Sequence, residues 1–305
     1  MPPTGSVTQE FEKLSNWGRW GPKDERGALN LLTDSTRAAA AALVTDGSCI
    51  SCARPMKPRR SSGNYLHHMT GSGEGAPTQG FGSAGDWVGI TIHGLEHTHL
   101  DSPAHVSWDG NLYNGADARE ISTRKGAMRG SADLAAEGII GRGILLDGAA
   151  ISNKRWMERG DRIEGRDIDV WFRRHNIVPR SGDILVVRFG RDAAERDHVD
   201  LLQAGTPSLG ISALSWIHDH DISVVASDLV CDEVSTTESL GDKRCPLPIH
   251  MLALVSMGLW LIDNAELGKL AEACRMKSRY DFFFAAVPLA LKNSTGSPVN
   301  PIAMF

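Results

Sequence analysis

The chain has 305 residues, 41% of them apolar and 23% charged, a profile that excludes a disordered or fibrous protein and leaves enough apolar material for a sizeable core. A formal net charge of −5, with no long Lys/Arg block, supplies no field that gathers phosphates, so neither nucleic acid nor an anionic membrane is expected as a partner. The polar start Met1–Asn16 lacks a secretory pattern, and no apolar run approaches the roughly 18 residues that span a bilayer, so a cytoplasmic protein is expected.

In chain order, residues 1–45 read as an N-terminal arm and a first helix. The arm is rich in Trp, Gly and charge, and from Trp17 to Asn30 its glycines and Pro22 predict loop that wraps the body or a neighbouring subunit. Asp34 is placed to cap the alanine-rich helix running to Val44. Residues 46–305 are expected to form one domain. Cys49 and Cys52 flank Ile50 in a short strand-like segment, and with five cysteines in all and no second close pair, reduced thiols packed in the structure are the expectation. From Lys57 to Asp86 a Ser/Gly/Pro/His-rich stretch lacks aliphatic periodicity, as binding loops often do. Trp87–Ile92 then predicts a strand running directly into a histidine cluster. Further strands are predicted at 143–146, 184–188, 223–226, 259–262 and 282–287. Helical patterns at 166–175, 213–220, 248–257 and 265–273 alternate with them, which argues for an α/β body.

Four histidines and an aspartate crowd the segment His93 to His105. On a strand, alternate residues share a face, so His97, His99 and Asp101 project to one side within about 14 Å of chain. Imidazole and carboxylate are ligands that zinc, manganese and iron(II) accept, and a position left open to water would let the ion lower that water's pKa toward about 7. Pro103 cannot donate to a ladder and ends the strand. His105 then swings to the rim, where an imidazole with an ordinary pKa near 6.5 serves as general acid and base.

The string His99-x-Asp101-x-Pro103-x-His105 resembles the signature of the cyclase or kynurenine formamidase-like hydrolases, which include arylformamidase, isatin hydrolase and a trans-dienelactone hydrolase. The resemblance extends through Gly182-Asp183-Ile-Leu-Val-Val-Arg188, with Phe189 where threonine is usual. It continues in Val225-Ala-Ser-Asp228-Leu-Val-Cys-Asp232 and in the tail from Val287 to Ala303, with Asn300 in place of a common arginine. The Trp17–Asn30 arm is similar to that of a longer, actinobacterial-type subgroup. The resemblance implies a swivelling β/β/α-type single domain with a mixed sheet, and a divalent ion, zinc or manganese, that activates water against a carbonyl with His105 as proton shuttle. It implies His99 and Asp101 as ligands by direct match. The family's first histidine falls on Leu95, leaving His97 and His93 as nearby substitutes, of which His97 is preferred because it shares the face of His99. For a second ion, the resemblance implies His250 and Asp263.

Tyr65 and Phe81 in the long loop, and Trp108 and Tyr113 after the motif, are candidate walls for a planar substrate, with His93 beside them. The function expected is hydrolysis of a C–N or C–O bond in a small cyclic or aryl amide, lactam, lactone or ester, carried out by a homodimer or homotetramer. Two alternatives stay open: a metal-dependent cyclase or dehydratase of a small carbonyl compound, and a small-molecule binder that has lost full ligation at Leu95. No G-x-S-x-G elbow, Walker loop or dinucleotide fingerprint is present.

Overall fold

The central strands of the protein are buried along almost their whole length and mostly apolar, as strands covered on both faces must be. The computed structural model describes residues 4–56, 65–238 and 243–305. Its strands, in chain order, are β1 (Cys49–Ser51), β2 (Tyr65–Gly71), β3 (Gly85–Ile90), β4 (His99–Asp101), β5 (Ile139–Asp147), β6 (Ile184–Arg188), β7 (Val224–Ser227), β8 (Trp260–Asp263), β9 (Asp281–Ala286), β10 (Gly296–Pro298) and β11 (Ile302–Met304), besides short two-residue pairings. Nine of them form one mixed sheet in the order β1-β11-β9-β5-β6-β7-β8-β4-β10. The four middle strands β5 to β8 run parallel, while β9, β11 and β1 on one flank and β4 and β10 on the other pair antiparallel. This is the mixed-sheet, single-domain α/β fold expected from the sequence.

Strand alternation divides the core between the two faces. Leu185, Val187, Val225 and Leu261 face the helices Gly165–Arg174 and Ile211–Asp219 and the helical turn Met251–Met257. Ile184, Val186, Val224, Trp260, Ile262 and Leu100 face the other layer, which includes Leu270 and Cys274 of the helix Gly268–Lys277 and the rings Phe282, Phe284 and Phe305. Leu100 belongs to the second layer, so its neighbours His99 and Asp101 point into the first.

Several elements depart from the sequence reading. The arm is not all loop: Thr4–Lys13 is a helix, and buried Val7, Leu14, Ala28 and Leu29 tie the arm into the core. The first helix is capped by Thr33, whose hydroxyl accepts from the backbone N–H of Thr36, and Asp34 is its first helical residue. In the long polar stretch, residues 57–64 lie outside the described residues, but 65–71 form β2, which pairs with β3 in a separate two-stranded hairpin. The predicted strand at 87–92 therefore does not run into the histidine cluster. It ends at Ile90, and Gly94, at φ 145°, turns the chain through an irregular loop before β4. The helix predicted from 265 starts only at Gly268, because Ala265 bridges to Ala53 and the backbone N–H groups of Ala265 and Glu266 donate to Ser227 and Cys52. The helix at 248–257 opens as Pro248–His250 and continues as a π-helical turn over Met251–Met257. No helix among the described residues is long and apolar enough to cross a membrane.

Candidate metal centre

Register brings the first two donors together. His99 pairs directly across the ladder with Asp263, and Asp101 pairs with Leu261, two residues along. All three side chains therefore leave the sheet on one face. Asp263 ends β8, and in open α/β sheets the C-terminal ends of parallel strands are where ligands collect. On that face the short helix Pro248–His250 lays His250 over the strands, its Nε2 3.2 Å from Asp263 Oδ2 and 3.6 Å from Asp101 Oδ2. Donor atoms of His99, Asp101 and Asp263 lie within 4.8 Å of one another, and so do those of His93, Asp101 and His105. Asp101 belongs to both sets and bridges them.

One nitrogen of each buried imidazole is fixed by a partner outside the donor cluster, and the other faces the carboxylates. His99 Nδ1 donates to the His97 carbonyl at 2.9 Å, which leaves its Nε2 lone pair directed toward Asp101 Oδ1 at 3.4 Å. His250 Nδ1 donates to Asp232 Oδ2 at 2.7 Å, and the same carboxylate accepts the backbone N–H groups of Ile249 and His250. This arrangement is a carboxylate–histidine pair of the kind that orients metal ligands. Two carboxylate oxygens, Asp101 Oδ2 and Asp263 Oδ1, are buried and have no hydrogen-bond partner. A buried anionic oxygen without a partner costs about 1–3 kcal/mol or more, and two converging beside imidazole lone pairs fit the demands of a divalent cation. The donor set therefore fits the metal that the sequence reading implied.

Electrostatics follow from this crowding. Burial would raise the pKa of Asp101, but the charges of His99 and His105, the nearby His250 imidazole and the hydrogen bond from His93 hold it well below the usual carboxylate range. Burial raises Asp263, against the pull of His250. His250 stands well above its ordinary value; burial opposes this, and Asp263, Asp101 and Asp232 overcome it. His105 is pushed down to about 4 by burial and by the neighbouring histidines, with only Asp101 opposing.

His93, rather than His97, reaches Asp101. Its Nδ1 lies 2.7 Å from Asp101 Oδ1 and its Nε2 is 2.8 Å from Thr295 Oγ1. His97 turns away, its Nε2 donating to the Thr91 carbonyl at 3.0 Å, because residue 97 precedes β4 and the strand alternation that would have aligned it with His99 does not extend that far. Its contribution to the site is the backbone carbonyl that orients His99. After Asp101, the backbone N–H of His105 closes a turn onto the Ser102 carbonyl at 2.9 Å, and its ring stacks flat on His93 at 3.6 Å and 8°. The strand ends at Asp101, just before Pro103, as expected, and His105, expected to swing to the rim, lies against His93.

The aromatic candidates are dispersed. Tyr113 is buried against the arm, its hydroxyl 3.2 Å from Asp24 Oδ2, and a Cβ on Gly258 would meet its ring at 2.6 Å. Trp108 packs on the core beneath Arg244. Tyr65 lies on the separate hairpin, and Phe81, in the connection between its two strands, is 89% exposed. None of the four touches the donors in this chain's own fold. A cavity of about 930 Å³ lies beside the 93–98 loop, lined by Arg54, Leu95, His97, Arg191 and Glu195, but none of the clustered donors lines it. Sequence reasoning missed Asp232, Thr295, Arg191 and Asn264. Asp232 alone had a local signal, as the end of the acidic turn after β7.

Fold and site together define a mixed-sheet α/β protein with a buried histidine–aspartate centre suited to a divalent ion. The chain belongs to the cyclase family, whose model matches residues 37–233. Among solved structures it is similar to a protein described as a novel cyclase, at 28% identity over 97% of this chain and 99% of that one, with a TM-score of 0.84. It also shares its fold with isatin hydrolase A from Ralstonia solanacearum, at 16% identity over 89% of this chain and 97% of that one (TM-score 0.56). A potential metal-dependent hydrolase with cyclase activity is similar at 16% identity over 84% of this chain and 98% of that one (TM-score 0.50). No curated protein sequence matches the chain.

Proposed function

We propose that this protein is a metal-dependent hydrolase that opens a C–N or C–O bond in a small cyclic or aryl amide, lactam, lactone or ester. The observation that carries the reading is the pair of unpartnered buried oxygens, Asp101 Oδ2 and Asp263 Oδ1, set among imidazoles whose other nitrogens are already engaged. His99, Asp101, Asp263 and His250 would hold zinc or manganese, with His93 completing the Asp101 side; these ligand types suit both metals. Bound there, a divalent ion supplies Lewis-acid polarisation of a carbonyl and water acidified toward a pKa of about 7.

The chain's own groups divide the remaining work. His99 and His250 are held in one tautomer by the His97 carbonyl and by Asp232, so that each presents Nε2 without rearrangement. His105 is only partly buried and lies flat on His93 beside the donor cluster, which suits it to move a proton between water and the leaving nitrogen or oxygen. Thr295 fixes the far edge of His93. The alternative of a binder without full ligation rests on Leu95; His93, 2.7 Å from Asp101, offers an imidazole in its place and so favours the enzyme.

The hairpin of β2 and β3 leaves Leu66, Met69, Trp87 and Val88 exposed, and this supports a homodimer or homotetramer as the working form, testable by analytical ultracentrifugation. The function itself is tested by elemental analysis of protein purified without chelator, followed by a pH-change screen of lactams, lactones, imides and N-formyl aromatics. About one or two ions per chain are expected, with turnover abolished by His105→Ala while the ions remain. Metal content near zero would overturn the reading.

A further inference from the structure

The chain must carry His93 to Asp101 through residues 91–98, a loop that belongs to no strand ladder. Two side chains from elsewhere take hold of it. Asn264 Nδ2 donates to the Gly94 carbonyl at 2.8 Å, and Arg191 Nη2 donates to the Leu95 carbonyl at 3.2 Å. Arg191 Nη1 donates in turn to Asn264 Oδ1 at 2.8 Å, so the two grips are one unit. Both side chains are buried. Arg191 is anchored through Nε to Glu195 at 2.9 Å and through its backbone N–H to Asp228 at 3.0 Å. At the loop's other end, Thr98 Oγ1 donates to the Asn264 carbonyl at 2.7 Å.

The position of Asn264 gives this arrangement its consequence. It follows Asp263 directly and takes a left-handed φ of 56°, which sends its side chain back toward the loop just after β8 has delivered Asp263 to the site. One residue thereby ties the segment bearing His93 to the segment bearing Asp263. We propose that Arg191 and Asn264 are positioning residues, a clamp that holds the 93–98 loop against the end of β8 so that His93 meets Asp101. The inference rests on the metal-site reading above. It also explains how a chain with Leu95 at the family's usual first-histidine position still brings an imidazole to Asp101.

The experiment uses Arg191→Met, which keeps the aliphatic stem and removes the donors, and Asn264→Gly, which removes the side chain while accommodating the positive φ. Arg191→Lys, which retains the charge facing Glu195, serves if the methionine variant does not fold. In metal-free protein, hydrogen–deuterium exchange over residues 91–98 is expected to accelerate about tenfold or more in each variant, with little change in β5 to β7. By chelator competition, ion affinity is expected to fall about 10–100-fold in each variant, the usual effect of removing groups that orient ligands. Combined with His93→Ala, each variant should lose most of its effect on affinity, because the clamp acts chiefly through His93, the remainder coming from the His97 carbonyl that orients His99. Unchanged exchange in the loop, or an undiminished affinity loss in the His93→Ala background, would overturn the inference. A wild-type chain that takes up no ion would overturn the proposed function instead, and the exchange measurement would still read the clamp.

Discussion

Replacing Asp232 separates orientation of a ligand from support of the fold. The carboxylate is buried and accepts three hydrogen bonds, from Ile249 N at 2.8 Å, His250 N at 3.0 Å and His250 Nδ1 at 2.7 Å. Asp232→Ala strands all three donors. At about 1–3 kcal/mol for each unsatisfied buried group, and with partial relaxation, the expected loss of stability is roughly 3–5 kcal/mol. Asp232→Asn is different, because one oxygen remains. The amide can keep the backbone N–H groups only in part, and where its NH2 faces His250 Nδ1 the imidazole must shift its proton to Nε2, the atom that faces Asp263 and Asp101. Expected costs are therefore about 1–2 kcal/mol in stability and about 10–100-fold in ion affinity, equivalent to roughly 1.4–2.7 kcal/mol. Denaturant melts of the metal-free protein and chelator competition on the loaded protein measure the two separately. An asparagine variant that loses stability as the alanine variant does, yet binds the ion with unchanged affinity, would refute the tautomer argument.

Three further outcomes follow from the geometry. His93→Ala should weaken ion binding at least tenfold while His97→Gln leaves it within a factor of about three, read by the same competition; the reverse ranking would restore the strand-alternation reading. Asp228 accepts the backbone N–H groups of Phe189, Gly190 and Arg191 at 2.7, 2.9 and 3.0 Å, so Asp228→Ala should lower stability by about 3 kcal/mol or more in a denaturant melt, and a loss below about 1 kcal/mol would show those donors finding other partners. Of the five cysteines only Cys49 is exposed, and burial pushes the Cys52 thiol up to about 12. Native protein at pH 8 should therefore release one equivalent of thionitrobenzoate quickly and four more only on unfolding; two fast thiols would contradict the burial of Cys52.

Much of the fold was legible locally. The apolar run at 184–188 became β6, because a strand buried on both faces leaves a continuous apolar signature, and the aromatic run at 282–287 became β9 within a residue of its expected bounds, with alternate side chains buried. His99 and Asp101 were legible for a related reason, since a two-residue spacing on any strand puts both side chains on one face. The proline two residues on and His105 in the turn behind it needed only Pro's missing N–H. Spacing and resemblance together also pointed to His250 and Asp263, and register places Asp263 directly opposite His99.

Alternation failed where the strand stopped. The choice between His97 and His93 depends on how residues 91–98 bend, and those bends are set by Asn264 and Arg191, about 170 and 100 positions away along the chain. The free nitrogen of His250 depends on Asp232 in the same way. The sequence alone thus determined which residue types and short spacings can hold a divalent ion, because those follow from side-chain chemistry and the two-residue period of a strand. Only the tertiary structure decided which histidine reaches Asp101 and which nitrogen of His250 faces the carboxylates, because loop path and ring orientation are set by hydrogen bonds from partners that no local pattern connects.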